Sequence, residues 1–236
     1  TLQDLAVKTN NRIAILHDNS ADGAVVGGKL WPALAIQYGY QVVVNVEFPT
    51  DTSDFGASVQ QAKASGADIV MVDTVTPQAV SIRKQMAAAG FTPKVLIMEK
   101  GAEPAQFAEA VGPLADGVLV GGYWDPSFPY PGAAELRDSF VKETGGSVSQ
   151  HIADSYTAAR VLLDAIAAAA TLDRRKVNEA IGRTDRTYPV GPVKFGANHF
   201  APLQMVQTQW QSGTTQVVWP KDRATAPLLF PVPPPQ

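Results

Sequence analysis

Cysteine is absent from the 236-residue chain, which excludes disulfides, zinc–thiolate centres, iron–sulfur clusters and thiol catalysis. Histidine is scarce: His17, His151 and His199 are scattered and show no metal-ligand spacing. No apolar run approaches the roughly 20 residues that a bilayer demands. The richest, 161–170, is broken by Asp164, so no membrane span is expected. Charge of one sign is lacking too. Nineteen Lys and Arg face 22 Asp and Glu, for a net charge of −3, and no basic cluster is present to hold a nucleic acid. No basic-then-apolar leader opens the chain, so any export signal is expected to have been removed or never to have existed.

Catalytic signatures are missing as well. Gly-x-Ser-x-Gly does not occur, and the turn His17-Asp18-Asn19-Ser20-Ala21-Asp22 has no paired glycines of the dinucleotide type. Gly23-Ala24-Val25-Val26-Gly27-Gly28-Lys29-Leu30 nearly spells a phosphate loop, but Leu30 stands where a magnesium-binding hydroxyl is needed. The glycines there are expected to serve close helix–sheet packing. No cofactor and no metal is expected.

What is present is a 45% hydrophobic chain, enough for one large domain or two small lobes. Its first two-thirds alternates short apolar runs with amphipathic, helix-length segments. Strands are expected at 13–16, 42–46, 69–72, 95–98 and 118–120. Helices are expected at 22–38, 54–65, 77–89 and 103–111. Ser53 or Thr52 offers a cap to the second helix, Asp22 to the first, and Thr76 to the third. Short strands that are apolar without alternation are buried on both faces. Separated by helices, they imply an α/β fold with a doubly wound parallel sheet.

After Gly121-Gly122 the texture changes. The prolines of 123–132 exclude regular structure there, and the segment reads as a linker. Helices follow at 133–144, 151–170 and 174–182, then strand-like runs at 190–195, 204–211 and 216–219, with a hairpin turn in 209–214. Residues 133–182 thus hold apolar helix faces with no buried parallel strands of their own. Those faces require a partner, so this stretch is expected to expose an apolar patch. The end from Pro231 reads as an extended or frayed proline-rich tail.

Open parallel sheets hold ligands at the carboxyl ends of their strands. The polar residues there are His17 to Asp22, Asp73-Thr74-Val75-Thr76 and Glu99-Lys100-Gly101. Each could instead cap a helix or meet solvent. Trp124, at the linker, is either a ligand platform or a packing residue.

The order of Arg12-Ile13-Ala14-Ile15-Leu16-His17-Asp18, Phe48-Pro49, Asp54-Phe55 and Gly66-Ala67-Asp68-Ile69-Val70 resembles the branched-chain amino-acid type of periplasmic binding protein. Ala87-Ala88-Ala89-Gly90-Phe91, Ser155-Tyr156-Thr157-Ala158-Ala159 and Gly191-Pro192-Val193-Lys194-Phe195 agree with it. These are the type I solute receptors of ABC importers, with two α/β lobes that trap a ligand on hinge closure. The resemblance implies lobe two at 12–123, a hinge linker at 124–132 and a returning part of lobe one at 133–205. Strands would cross back at 206–230, ahead of the tail at 231–236, and the first part of lobe one would be missing.

Carried over residue by residue, the ligand contacts fall on Asp22, Asp73, Thr74, Val75, Glu99, Lys100, Trp124 and His151. Asp22 stands where the family often has an aromatic, which argues against a branched-chain amino acid. If Glu99 faces the cleft, a cationic ligand group is favoured; if Lys100 does, an organic acid is favoured. The resemblance implies a periplasmic or extracellular solute-binding protein, without enzymatic activity, that hands a small polar organic molecule to a membrane permease. A ligand-sensing domain of a receptor, and a doubly wound enzyme using Asp73, Glu99 and Lys100, are the alternatives.

Overall fold

A computed structural model describes residues 2–3 and 7–234. The chain divides into two compact units, one running to Gly121 and resuming at Gln207, the other spanning Gly122–Val206.

The first unit is built on β1 (Arg12–Asp18), β2 (Gln41–Phe48), β3 (Ile69–Thr74), β4 (Val95–Lys100) and β5 (Val118–Gly122). Neighbouring pairs among these five run parallel. The hairpin of β8 (Val206–Gln211) and β9 (Thr214–Trp219) joins the edge, and the sheet order is β2-β1-β3-β4-β5-β8-β9. Parallel strands need crossovers, and helices supply them. Between β1 and β2 lie α1 (Ala21–Val25), a π-helical turn at Val26–Leu30 and α2 (Trp31–Gln37). The later crossovers are α3 (Gly56–Ala64), α4 (Thr76–Ala88) and α5 (Ala105–Val111). The doubly wound α/β sheet expected from the apolar runs is therefore present.

Strand alternation assigns the two faces. Leu16, Val70, Val72, Leu96, Met98 and Val120 point to one side, where they pack with Val59 of α3, Ile82 and Met86 of α4 and Phe107 of α5. Ile13, Ile15, Ile69, Ile97 and Leu119 point to the other, with Ala35 of α2 and Val218 of β9. A groove of about 520 Å³ on this second face is lined by Trp31, Leu34, Tyr38, Met71, Ile97 and Trp219.

The expected single helix over 22–38 is instead three segments, with the π-helical turn at Gly27-Gly28. The glycines are there for proximity. A Cβ on Gly27 would lie 2.4 Å from the Cβ of His17, and one on Gly23 would lie 2.3 Å from the Asp18 carbonyl oxygen. The phosphate-loop likeness is thus a packing device.

The caps differ from expectation. Ser20, not Asp22, caps α1 by accepting from the Gly23 N–H. Neither Thr52 nor Ser53 caps α3, whose N-cap residue is Phe55, and Thr76 is already inside α4, whose N-cap residue is Val75. The tail is not frayed as far as Pro234. Val232 is buried and donates its N–H to the Lys94 carbonyl; the end of the expected tail, 235–236, lies outside the described residues.

The second unit holds α6 (Ala133–Thr144), α7 (Gln150–Ala169) and α8 (Arg174–Gly182), then a hairpin of β6 (Asp185–Tyr188) and β7 (Gly191–Lys194). The expected strand at 190–195 is the second half of that hairpin. Its first half, Asp185-Arg186-Thr187-Tyr188, is too polar to read as a strand and is held by pairing. Its core is Ala133, Ala153, Val161, Tyr188, Val190 and Val193 around Trp124. Asp164 is satisfied locally by Arg160, Arg186 and the Tyr188 hydroxyl. Val141, Tyr156, Leu162, Leu163 and Leu172 remain exposed on this unit.

Gly27→Ala is expected to lower stability by about 1–3 kcal/mol, because an added methyl must push β1 and the π-helical turn apart. Gly28→Ala meets His17 only at 3.4 Å and is expected to leave the urea midpoint nearly unchanged. Equal midpoints for the two variants would contradict the close-approach account.

Candidate functional site

In the order β2-β1-β3, the chain leaves β1 in one direction to form β2 and returns past β1 to form β3. The crevice at such a reversal, outside the carboxyl ends of the strands, is where open α/β sheets place ligands. Here β1 ends in His17-Asp18, β3 in Asp73-Thr74 and β4 in Glu99-Lys100.

Register converts these sequence ends into one row. His17 pairs opposite Asp73, and Asp73 opposite Glu99. Because side chains alternate along a strand, this row continues the Ile15, Met71 and Ile97 face of the sheet. The row is closed at β5, where the Gly121 N–H donates to Glu99 Oε2 at 3.1 Å. Gly121 is required there: a Cβ would come within 2.7 Å of that same oxygen.

Asp73 is 1% exposed, as is Asp18. Asp18 Oδ1 accepts from the Ser20 N–H at 3.1 Å and from the Ser20 hydroxyl. Above the row, Lys100 Nζ lies 2.6 Å from Asp22 Oδ2 and 3.0 Å from Asp73 Oδ1. The edge therefore carries Asp18, Asp22, Asp73 and Glu99, with the Lys100 ammonium held between Asp22 and Asp73.

Burial dominates the electrostatics. Desolvation raises the Asp73 pKa, against the lowering effect of Lys100, and the charges of Asp22 and Asp18 add to the rise. Desolvation also raises Glu99; the Gly121 N–H opposes it and the Asp73 charge reinforces it. For Lys100, burial alone would lower the pKa, but hydrogen bonds to Asp22 and Asp73 win and the net shift is upward. Lys100 is thus held protonated and is no nucleophile. Among the described residues, no group of three or more His, Cys, Asp or Glu could hold a metal ion.

Of the eight residues marked in the sequence, Asp22, Asp73, Glu99 and Lys100 come together at this edge. Thr74 is fully buried there, its hydroxyl donating to Gln78 Oε1. Gln78 in turn donates to the Thr50 carbonyl, fixing the loop after β2. Val75 is exposed at the start of α4. Trp124 and His151 belong to the second unit. Trp124 is 4% exposed and donates its indole N–H to the Pro189 carbonyl at 2.7 Å, as a packing residue does. His151 is exposed, beside the Tyr123 hydroxyl at 3.2 Å, and that hydroxyl donates to Asp154 at 2.6 Å.

His17 and Asp18 belong to the polar run at the end of β1 but are not among the eight carried-over contacts, and Gly121 stands outside both sets. Their signal is register: once β1, β3, β4 and β5 are aligned as parallel neighbours, His17 falls in the row and Gly121 beside it.

Glu99→Gln keeps an acceptor for Gly121 and removes a half-buried charge. A carboxyl with a raised folded-state pKa favours folding at low pH and loses that advantage as pH rises through its folded value. The variant is therefore expected to be more stable than the parent near pH 7. The gain should fade toward about pH 4, as read from urea midpoints, and a loss of stability at neutral pH would contradict the assignment.

The periplasmic binding protein family model matches residues 1–215. A Leu/Ile/Val-binding protein homolog 8 from Brucella abortus is 28% identical over 230 residues, which is 93% of this chain and 57% of that protein. Homolog 7 from Brucella melitensis is 24% identical, over 93% of this chain and 58% of its own length. The chain thus spans under three-fifths of the curated relatives it matches. Among solved structures, a leucine binding protein from Thermotoga maritima superposes with a TM-score of 0.78 at 24% identity, over 88% of this chain and 59% of that one. A solute binding protein from R. palustris in complex with benzoate gives 0.74 at 16% identity, over 93% of this chain and 59% of that one. Those structures share the fold expected from the strand order. With the family model matching most of its length, the chain belongs to the periplasmic binding protein family.

Proposed function

We propose that the chain is a ligand-handling portion of an extracytoplasmic solute-binding protein, which captures a small polar organic molecule and passes it to an ABC-type membrane permease. The observation that carries this reading is the edge at the β1/β3 reversal. Buried charged groups are concentrated there, at the place where this sheet architecture receives ligands. Membership of the family supports it.

Noncovalent capture also fits the chemistry of the edge better than catalysis does. Lys100 is tied to Asp73 and Asp22, and Glu99 to the Gly121 N–H. None stands as an activated nucleophile with a base beside it. Asp22, Asp73, Glu99 and Lys100 are proposed to touch the solute, with Val75 at the rim.

A thermal-shift panel of amino acids, aromatic acids, aliphatic acids and amines is the direct test. At a concentration of about 100 times Kd, a bound solute stabilises by about 2.7 kcal/mol, a rise in Tm of roughly 5–10 °C for a chain of this size. One chemical class is expected to give such a rise, and Asp73→Asn is expected to abolish it. A panel without any rise would contradict the reading.

A further inference from the structure

Resting on the solute-binding reading, we propose that Trp210 is a positioning residue of the carboxyl-terminal edge. Its indole N–H, acting through the Ala102 carbonyl, holds the turn after β4 and so aims Lys100 at Asp73 and Asp22.

Strand alternation poses the problem that this contact solves. Lys100 follows Glu99 and pairs opposite Thr74, so in an unbroken strand its side chain would leave the sheet on the face away from Glu99. Nζ instead meets Asp73, which shares its row with Glu99. The backbone supplies the difference. Lys100 has a φ of +42°, a left-handed conformation that a residue with a Cβ keeps only where its surroundings impose it.

The surroundings are a short loop gripped twice. Gly101 lies against the end of β3 and the first turn of α4: a Cβ there would come 2.5 Å from the Thr74 carbonyl oxygen and 2.7 Å from the Ala79 Cβ. The second grip is at Ala102. It is wholly buried, and its carbonyl accepts the Trp210 indole N–H at 2.7 Å.

Trp210 is itself well fixed. It is 4% exposed, in the core that holds Leu96, Met98 and Phe107. Its carbonyl accepts from the Gly117 N–H at 2.9 Å, and the side-chain amide of its neighbour Gln209 donates to the Gly117 carbonyl at 3.0 Å. A phenylalanine would fill much of the same space, so the N–H is what separates an anchor from a filler. Without it the buried Ala102 carbonyl loses a donor and the loop loses its tie to β8. The edge is thus completed by the strand with which the chain re-enters the first unit.

The test is acetylation of Lys100 in the solute-free protein by a water-soluble acylating reagent at about pH 8. Mass spectrometry reads it as a ratio to Lys94, which lies at the other end of β4 and is bound to Asp68. An ammonium held between two carboxylates stays protonated and reacts slowly. Trp210→Phe is expected to raise the Lys100-to-Lys94 ratio about threefold or more over the parent. Val59→Ala, which loosens the same core from α3, is expected to leave the ratio unchanged even though its urea midpoint falls. Should Trp210→Phe not fold, Gly101→Ala opens the other grip. The Lys100 ratio and the exchange rate of the Trp210 indole proton are then both expected to rise, by about threefold or more.

An unchanged ratio in folded Trp210→Phe, an equal rise in Val59→Ala, or a rise in only one of the two readouts in Gly101→Ala would overturn the proposal. None of these results involves a solute, so each would leave the solute-binding reading in place. A solute panel without any rise in Tm, beside a Lys100 released as expected, would overturn that reading and with it the assignment of Trp210 to a solute site.

Discussion

Parallel pairing in register is the constraint on which the rest depends. Once β1, β3 and β4 align with Ile13 opposite Ile69 and Ile69 opposite Val95, every later residue in those strands has its place decided. The apolar layers at Ile13, Ile15, Ile69 and Ile97 bury one face of the sheet, at about 25 cal/mol per Å² removed from water. That burial stabilises the register strongly enough to carry His17, Asp73 and Glu99 along with it. Asp73 and Glu99 lie side by side because the isoleucines beneath them do. A one-residue slip would send both carboxylates to the face that packs on Val59 of α3 and Ile82 and Met86 of α4.

The carboxylates in turn shape what surrounds them. Gly121 is bare so that Glu99 can lie against the backbone of β5. Gly23 and Gly27 are bare so that the first crossover can press onto Asp18 and His17. Ser20 turns its hydroxyl and N–H to Asp18 while capping α1. Sequence features that look unrelated, a glycine-rich stretch, a serine and a glycine pair, are thus consequences of one buried polar row.

Much of the fold is readable from the residues because burial on both faces leaves an unmistakable trace. Runs such as Ile69-Val70-Met71-Val72 and Val95-Leu96-Ile97-Met98 have no polar alternation and announce central parallel strands. The hairpin over Gln211-Ser212-Gly213-Thr214 is equally plain, since Ser212 and Gly213 both take positive φ, as a two-residue turn requires. β6 could not be read, because Asp185-Arg186-Thr187-Tyr188 carries no apolar period and owes its conformation to β7. The caps lie one to three residues from those expected. Ser20 caps α1 with its side chain, whereas α3 and α4 start from Phe55 and Val75 without a side-chain cap. At the site, strand ends disclosed Asp73, Glu99 and Lys100, but not their roles. Which of Glu99 and Lys100 is held inward follows from Gly121 and Asp22, partners that lie far away in sequence.

The central claim is that the carboxyl-terminal edge around the β1/β3 reversal is the ligand-facing surface of this unit. Amide-resonance mapping with the tightest-binding solute of the panel tests it most directly. The account expects the largest shifts at 17–23, 73–76, 99–102 and 121. Shifts confined to the opposite edge, at 66–68, 90–94 and 115–117, with the carboxyl-terminal edge unmoved, would contradict it.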